Sequence, residues 1–162
     1  MQTANRCALA ALLLTLASGV IAAEDPFTGT WILDRQASQG GASSQVLTIA
    51  VSEDRESYRS ELTQADGTRQ LTHYTAAYDG REYPSETTVT HPDGTTVRSE
   101  DAVILRKIDR QTRERYWRRN GRVIRILRRT VSADGHILTS KVIEVDAGGQ
   151  EHPAGRLVFN HR

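Results

Sequence analysis

At 162 residues the chain has the length of a single domain, and its 21 basic residues almost cancel its 20 acidic ones. Its one cysteine, Cys7, excludes an internal disulfide framework, so any fold must be held by an ordinary hydrophobic core.

The first segment, Met1 to Arg6, is short and polar with one positive charge. Cys7 to Ile21 is an almost unbroken run of Ala, Leu, Val and Ile, and Ala22 and Ala23 close it. A basic start, an apolar middle and a small-residue exit make residues 1–23 a predicted signal peptide. The run falls short of the roughly 20 apolar residues that a membrane-crossing helix needs. Residues 24–162 are therefore expected to form a cysteine-free domain without a transmembrane segment, exported to the periplasm or the extracellular space.

Turn signals dominate the rest. Asp66-Gly67, Asp79-Gly80, Pro92-Asp93-Gly94, Asn120-Gly121, Asp134-Gly135 and Gly148-Gly149 are dipeptides or tripeptides suited to tight hairpins. A further turn is expected at Asp109-Arg110-Gln111, midway through the one double-length interval. Between them lie segments rich in Thr, Val, Ile, Tyr and Arg, without helical periodicity. Alternation is cleanest from Gln45 to Glu53, where Leu47, Ile49 and Val51 share a face. Tyr58 and Leu62 repeat it. In Arg122 to Val131 neither face is purely apolar, with Val123, Arg125, Leu127 and Arg129 on one side. Arg35 to Ser44, and Glu82 to Glu86 around Pro84, are expected to be loops.

About ten sequential strands have two exposed edges to conceal, and closing the ribbon on itself removes both. The predicted fold is all-β, a single antiparallel up-and-down barrel of about 8–10 strands, with a two-sheet sandwich as the alternative.

Chemistry-bearing motifs are sparse. His73, His91, His136, His152 and His161 are scattered, without metal-ligand spacing, and no Gly-x-Ser-x-Gly elbow or phosphate loop occurs. Most carboxylates adjoin turns, where Asp stabilises the turn itself. The expectation is a protein that is not an enzyme and takes no cofactor or metal. Charge is unevenly spread: Glu24 to Val97 holds twelve acidic and five basic residues, Arg98 to Arg129 twelve basic and four acidic. The stretch Arg113-Glu114-Arg115-Tyr116-Trp117-Arg118-Arg119 interleaves arginines with aromatics as nucleic-acid surfaces do. Cross-strand pairing on solvated faces explains the pattern more simply, and a nucleic-acid partner is not expected of an exported protein.

The segment Phe27-Thr28-Gly29-Thr30-Trp31-Ile32-Leu33-Asp34 resembles the Gly-x-Trp first strand of the lipocalin and calycin families. Tyr78-Asp79-Gly80-Arg81-Glu82-Tyr83-Pro84 and Arg129-Thr130-Val131-Ser132-Ala133-Asp134-Gly135 are similar to segments of small exported lipocalin-like bacterial proteins. A Thr-Asp-Tyr motif is not evident, and Arg129 and Arg156 are both candidates for the late arginine that packs on the Trp in lipocalins. The resemblance implies that Trp31 closes one barrel end and that the barrel encloses a small apolar or amphipathic ligand. Candidate lining residues are Tyr74, Tyr116, Trp117, Arg125 and Arg129; inward arginines would suit an anionic head group. The competing expectation is a filled barrel that contacts an envelope component, polyanion or partner protein through Arg98 to Arg129.

Overall fold

Each expected hairpin turn forms, and in all of them but Asn120-Gly121 an Asp side chain accepts from the turn's backbone. Asp66 accepts a hydrogen bond from the Thr68 amide at 2.8 Å, Asp93 from Thr95 at 2.8 Å, and Asp146 from Gly148 and Gln150 at 2.8 and 2.9 Å. These backbone donors hold the Asp66 and Asp93 carboxyls below their ordinary values. Asn120 and Gly121 both take positive φ, 50° and 74°, the geometry of a two-residue hairpin loop.

The computed structural model describes residues 24–39 and 42–162; the predicted signal peptide, Cys7 and Gly40-Gly41 lie outside them. The turns separate ten strands: β1 Gly29–Leu33, β2 Ala42–Ser52, β3 Arg55–Gln64, β4 Arg69–Ala77, β5 Tyr83–Thr90, β6 Thr96–Lys107, β7 Thr112–Arg119, β8 Arg122–Val131, β9 Ile137–Val145 and β10 Glu151–His161. Each pairs antiparallel with its chain neighbour, and β1 also pairs with β10, so the sheet is a closed barrel. Among the described residues there is no helix, and thus none able to cross a membrane. The loop expected at Glu82 to Glu86 is instead the start of β5. Pro84 is the second residue of that strand, one position before its pairing with β4 begins, where a missing N–H is tolerated.

Alternation divides the wall as the period of two demands. Leu47 and Ile49 on β2, Tyr58 on β3, Tyr74 and Ala76 on β4, Val103 and Leu105 on β6 all point inward and are buried. The turns after β2, β4, β6 and β8 meet at one end, here called the lower end. Glu24 to Thr28 enter there, and Phe27 and Trp31 fill it at 0% exposure. The Trp31 indole donates to the Phe27 carbonyl at 3.0 Å and meets the His161 ring edge-on at 4.7 Å. His161, not Arg129 or Arg156, is thus the side chain against the indole.

Gly29 makes this closure possible. Its φ of +140° is a conformation that side-chain-bearing residues rarely take, and a Cβ there would collide with the His161 imidazole. Gly29→Ala should therefore destabilise the protein by about 1–3 kcal/mol. Urea unfolding checks this: the same change made in a His161→Ala background should lose less, because the collision is gone and only backbone strain remains.

Candidate functional site: the arginine-lined interior

β7 and β8 place arginines where a barrel of this size has its core. Arg113 stands directly opposite Arg129 in register, both point inward, and both are fully buried. Two guanidiniums side by side in a dry interior repel each other and must each find an anion.

Glu56 crosses from β3 to meet one of them. The Arg129 Nη2 donates to both Glu56 oxygens, at 2.8 and 2.9 Å, and the Tyr74 hydroxyl adds a bond of 2.6 Å to Oε1. The Tyr78 hydroxyl donates to Oε2. Burial alone would push the Glu56 carboxyl up; the Arg129 charge and the bonds from Tyr74, Tyr78 and Arg129 outweigh it and hold the group below its ordinary 4.5. The same burial and the nearby Glu56 charge raise both tyrosines, so their hydroxyls stay protonated donors. Arg113 donates to Asp25 from the N-terminal segment and to the Tyr78 hydroxyl, with its guanidinium 4.4 Å from the Phe27 ring centre. Two cations and two carboxylates thus close the lower end as one network.

Arg115, one inward position further up β7, has no such partner. It is 3% exposed, and its one polar contact is a weak 3.4 Å bond to the Tyr74 hydroxyl. Its Nε is buried without an acceptor. Around it stand the rings of Tyr58 at 4.5 Å, Trp117 at 5.3 Å and Tyr74 at 5.4 Å, with Tyr58 stacked on Tyr74 at 4.9 Å. Cation–π contacts of roughly 1–2 kcal/mol each only partly offset the several kcal/mol that burying an ion costs. Leu105 and Leu127 flank Arg115 in register, so an apolar wall adjoins the charge. Higher up the wall turns polar, with Gln45, Ser60, Thr72, Ser85 and Thr87 buried; the Ser85 hydroxyl and the Gln45 Oε1 have no partner.

The five residues expected to line a ligand site are not brought together as one surface. Tyr74 and Arg129 belong to the buried network, but Arg129 is already committed to Glu56. Trp117 is in the inward row beside Arg115, and its indole donates to Asp101 at 2.8 Å, a carboxylate shared with Arg119. Arg125 stands across from Trp117 but reaches an exposed pair with Glu144 at 2.9 Å. Tyr116 is on the outer wall, hydrogen-bonded to Glu114 at 2.7 Å beneath Arg106. Val123 does not share the Arg125 face as alternation suggested, because a bulge opposite Trp117 and Arg118 shifts it by one residue, across from Arg118.

Sequence reasoning missed Arg113, Arg115, Glu56, Tyr58 and Tyr78. The signal was present: Arg113-x-Arg115-x-Trp117 and Glu56-x-Tyr58 alternate at the strand period, so each forms one face. Among the described residues, no group of three His, Cys, Asp or Glu side chains is placed to hold a metal. A scan against protein-family profiles finds no match, and a search of curated proteins finds no relative.

Two outcomes separate the paired arginine from the lone one. Arg115→Met should raise stability by about 1–4 kcal/mol, since an uncompensated buried charge is replaced by an apolar chain of similar length. Arg129→Met should lower it by about 3–5 kcal/mol, because Glu56 is then stranded; urea midpoints read both. The Glu56 carboxylate, lowered in the folded state, contributes stability that is fully present above about pH 4.5 and is lost as pH falls through its folded value. Unfolding midpoints measured down to about pH 3 should accordingly fall less steeply for Glu56→Gln than for the unaltered protein.

Proposed function

We propose that this protein is an exported carrier whose barrel encloses a small amphipathic anion. Arg115 holds the carboxylate or phosphate head group, while Leu105, Leu127 and the stacked Tyr58 and Tyr74 hold the apolar body. The observation that carries this reading is the Arg115 guanidinium itself: buried, ringed by aromatics, and among the described residues the one interior arginine without a carboxylate. A binding site built around an anion accounts for a charge that folding alone does not need, because the missing partner arrives with the ligand. The apolar wall beside it and the buried hydroxyls above it match a ligand with one charged end.

The lipocalin-like first strand and the leader-like start of the chain support the same reading, the first for enclosure and the second for export. The buried Tyr74 and Tyr78 hydroxyls that reach Glu56 are held protonated, so the proposal is one of binding without turnover.

Two fluorescent naphthalene probes test it, anilinonaphthalene sulfonate with a charge and N-phenylnaphthylamine without one. The charged probe should bind more tightly, and Arg115→Met should weaken it about ten- to a hundredfold while leaving the neutral probe nearly unchanged. Equal binding of the two probes, or no effect of Arg115→Met on their ratio, would overturn the assignment. Native mass spectrometry of protein taken from its exported fraction should then show a co-purifying small anion.

A further inference from the structure

The outer wall of β6 to β10 carries a second ordered pattern that the interior does not explain. Register places Arg106 opposite Glu114, Glu114 opposite Arg128, Arg128 opposite Lys141, and Lys141 opposite Arg156. Five neighbouring strands therefore present one straight row, with four cations and a single carboxylate. At about 4.8 Å per strand the row is roughly 19 Å long. Arg106, Arg128, Lys141 and Arg156 are all exposed. Glu114 is mostly buried beneath them and already occupied, accepting from Arg128 at 2.7 Å and from the Tyr116 hydroxyl at 2.7 Å. Glu151 lies two rows further up, opposite Val145, and its charge also acts on Arg128.

The rows on either side differ in kind. Below it Thr112, Thr130 and Thr139 stand in register on the outer face and offer hydroxyls. Above it Ile104, Tyr116 and Ile143 form a half-buried apolar row in register, with Ile126 between Tyr116 and Ile143 buried at 5% exposure. A strip of hydroxyls and a strip of cations lie parallel, each crossing several strands, beside an apolar row that reaches the surface at Ile104, Tyr116 and Ile143.

We infer that this wall is a binding site for a linear acidic polysaccharide with one carboxylate on each sugar, lying across the strands. Its carboxylates meet the cation row, its ring hydroxyls meet the threonines, and its C–H faces rest on the half-buried Ile104 and Ile143. Two alternatives fit less well. A row spanning five of ten strands follows half the girth of the barrel, so a flat anionic membrane reaches only part of it, whereas a flexible chain follows the curve. Single-stranded nucleic acid relies on open aromatic faces for stacking, and the Tyr116 ring is covered by the Arg106 guanidinium 5.0 Å away. The site is separate from the interior and does not depend on what the barrel encloses.

Binding of a galacturonate oligomer of about ten sugars, followed by fluorescence polarisation at several salt concentrations, tests the inference. Lys141→Gln and Arg156→Gln should each weaken binding several-fold and lower the logarithmic salt slope by roughly 0.7. Arg69→Gln, an exposed cation on the opposite side of the barrel, should change neither. Unfolding midpoints of all three variants should match that of the unaltered protein, which separates lost contact from lost fold. Failure to bind the oligomer overturns the inference, as does binding indifferent to Lys141→Gln and Arg156→Gln. Tighter binding of an oligothymidylate of equal charge, or of vesicles containing phosphatidylglycerol, overturns it in favour of those partners. Retained binding of the charged naphthalene probe in all these variants keeps the outcome distinct from that of the interior site.

Discussion

The pairing of Arg129 with Glu56 is the constraint around which the lower half of the barrel is arranged. It spans the interior from β8 to β3, so two strands far apart around the ring are tied through the core. Once Arg129 is inward, register makes its neighbour Arg113 inward too, and a second carboxylate becomes obligatory. Asp25 supplies it from outside the sheet, which draws the N-terminal segment across the barrel end and sets Phe27 beneath both guanidiniums. Removing one partner of such a set strands the other in a medium that cannot solvate it. The arrangement therefore specifies a single closure of the end as much as it stabilises it.

The same logic isolates Arg115. Among the described residues, an interior that compensates two of three buried arginines with local carboxylates, and leaves the third among aromatic rings, sets that residue apart chemically. Seen from the outer wall, the charge asymmetry of the chain has a different result. The basic residues of Arg98 to Arg129 divide between two faces, with Arg113, Arg115 and Arg129 inside and Arg106, Arg118 and Arg128 among those outside. One basic segment thus contributes to two unrelated surfaces.

Much of the fold could be anticipated from turn chemistry. Asp-Gly and Asn-Gly pairs at near-constant spacing set the number of strands, and the cost of open edges argued for closure. Trp31 was expected to close a barrel end, and it does, although its ring partner, His161, is at the far end of the chain where no local pattern announces it. Pro84 misled because a proline within a candidate strand usually marks a break, and only the point where β4 pairing starts shows why it is tolerated. The interior was harder to anticipate. Alternation identifies which residues share a face but not which face is inside, and an arginine-rich strand offers no apolar majority to decide it. The bulge at Val123 compounds this, since one extra residue reverses every assignment on one side of it. Arg129 and Tyr74 were recognisable; Arg115 was not, because an arginine between Glu114 and Tyr116 looks like surface until its register partners Leu105 and Leu127 are known.

The short strand β1 acts as the clasp of the ring. It is five residues long, yet it alone joins β2 to β10, pairing Trp31 with Leu47 on one side and with His161 on the other. The second of those partners lies 130 positions away. The circle cannot shut until β10 has been synthesised, so nascent polypeptide must wait as an open ribbon with both borders bare. Contacts this remote in sequence slow folding, and an unclasped ribbon is the species most able to pair with a neighbour of its own kind.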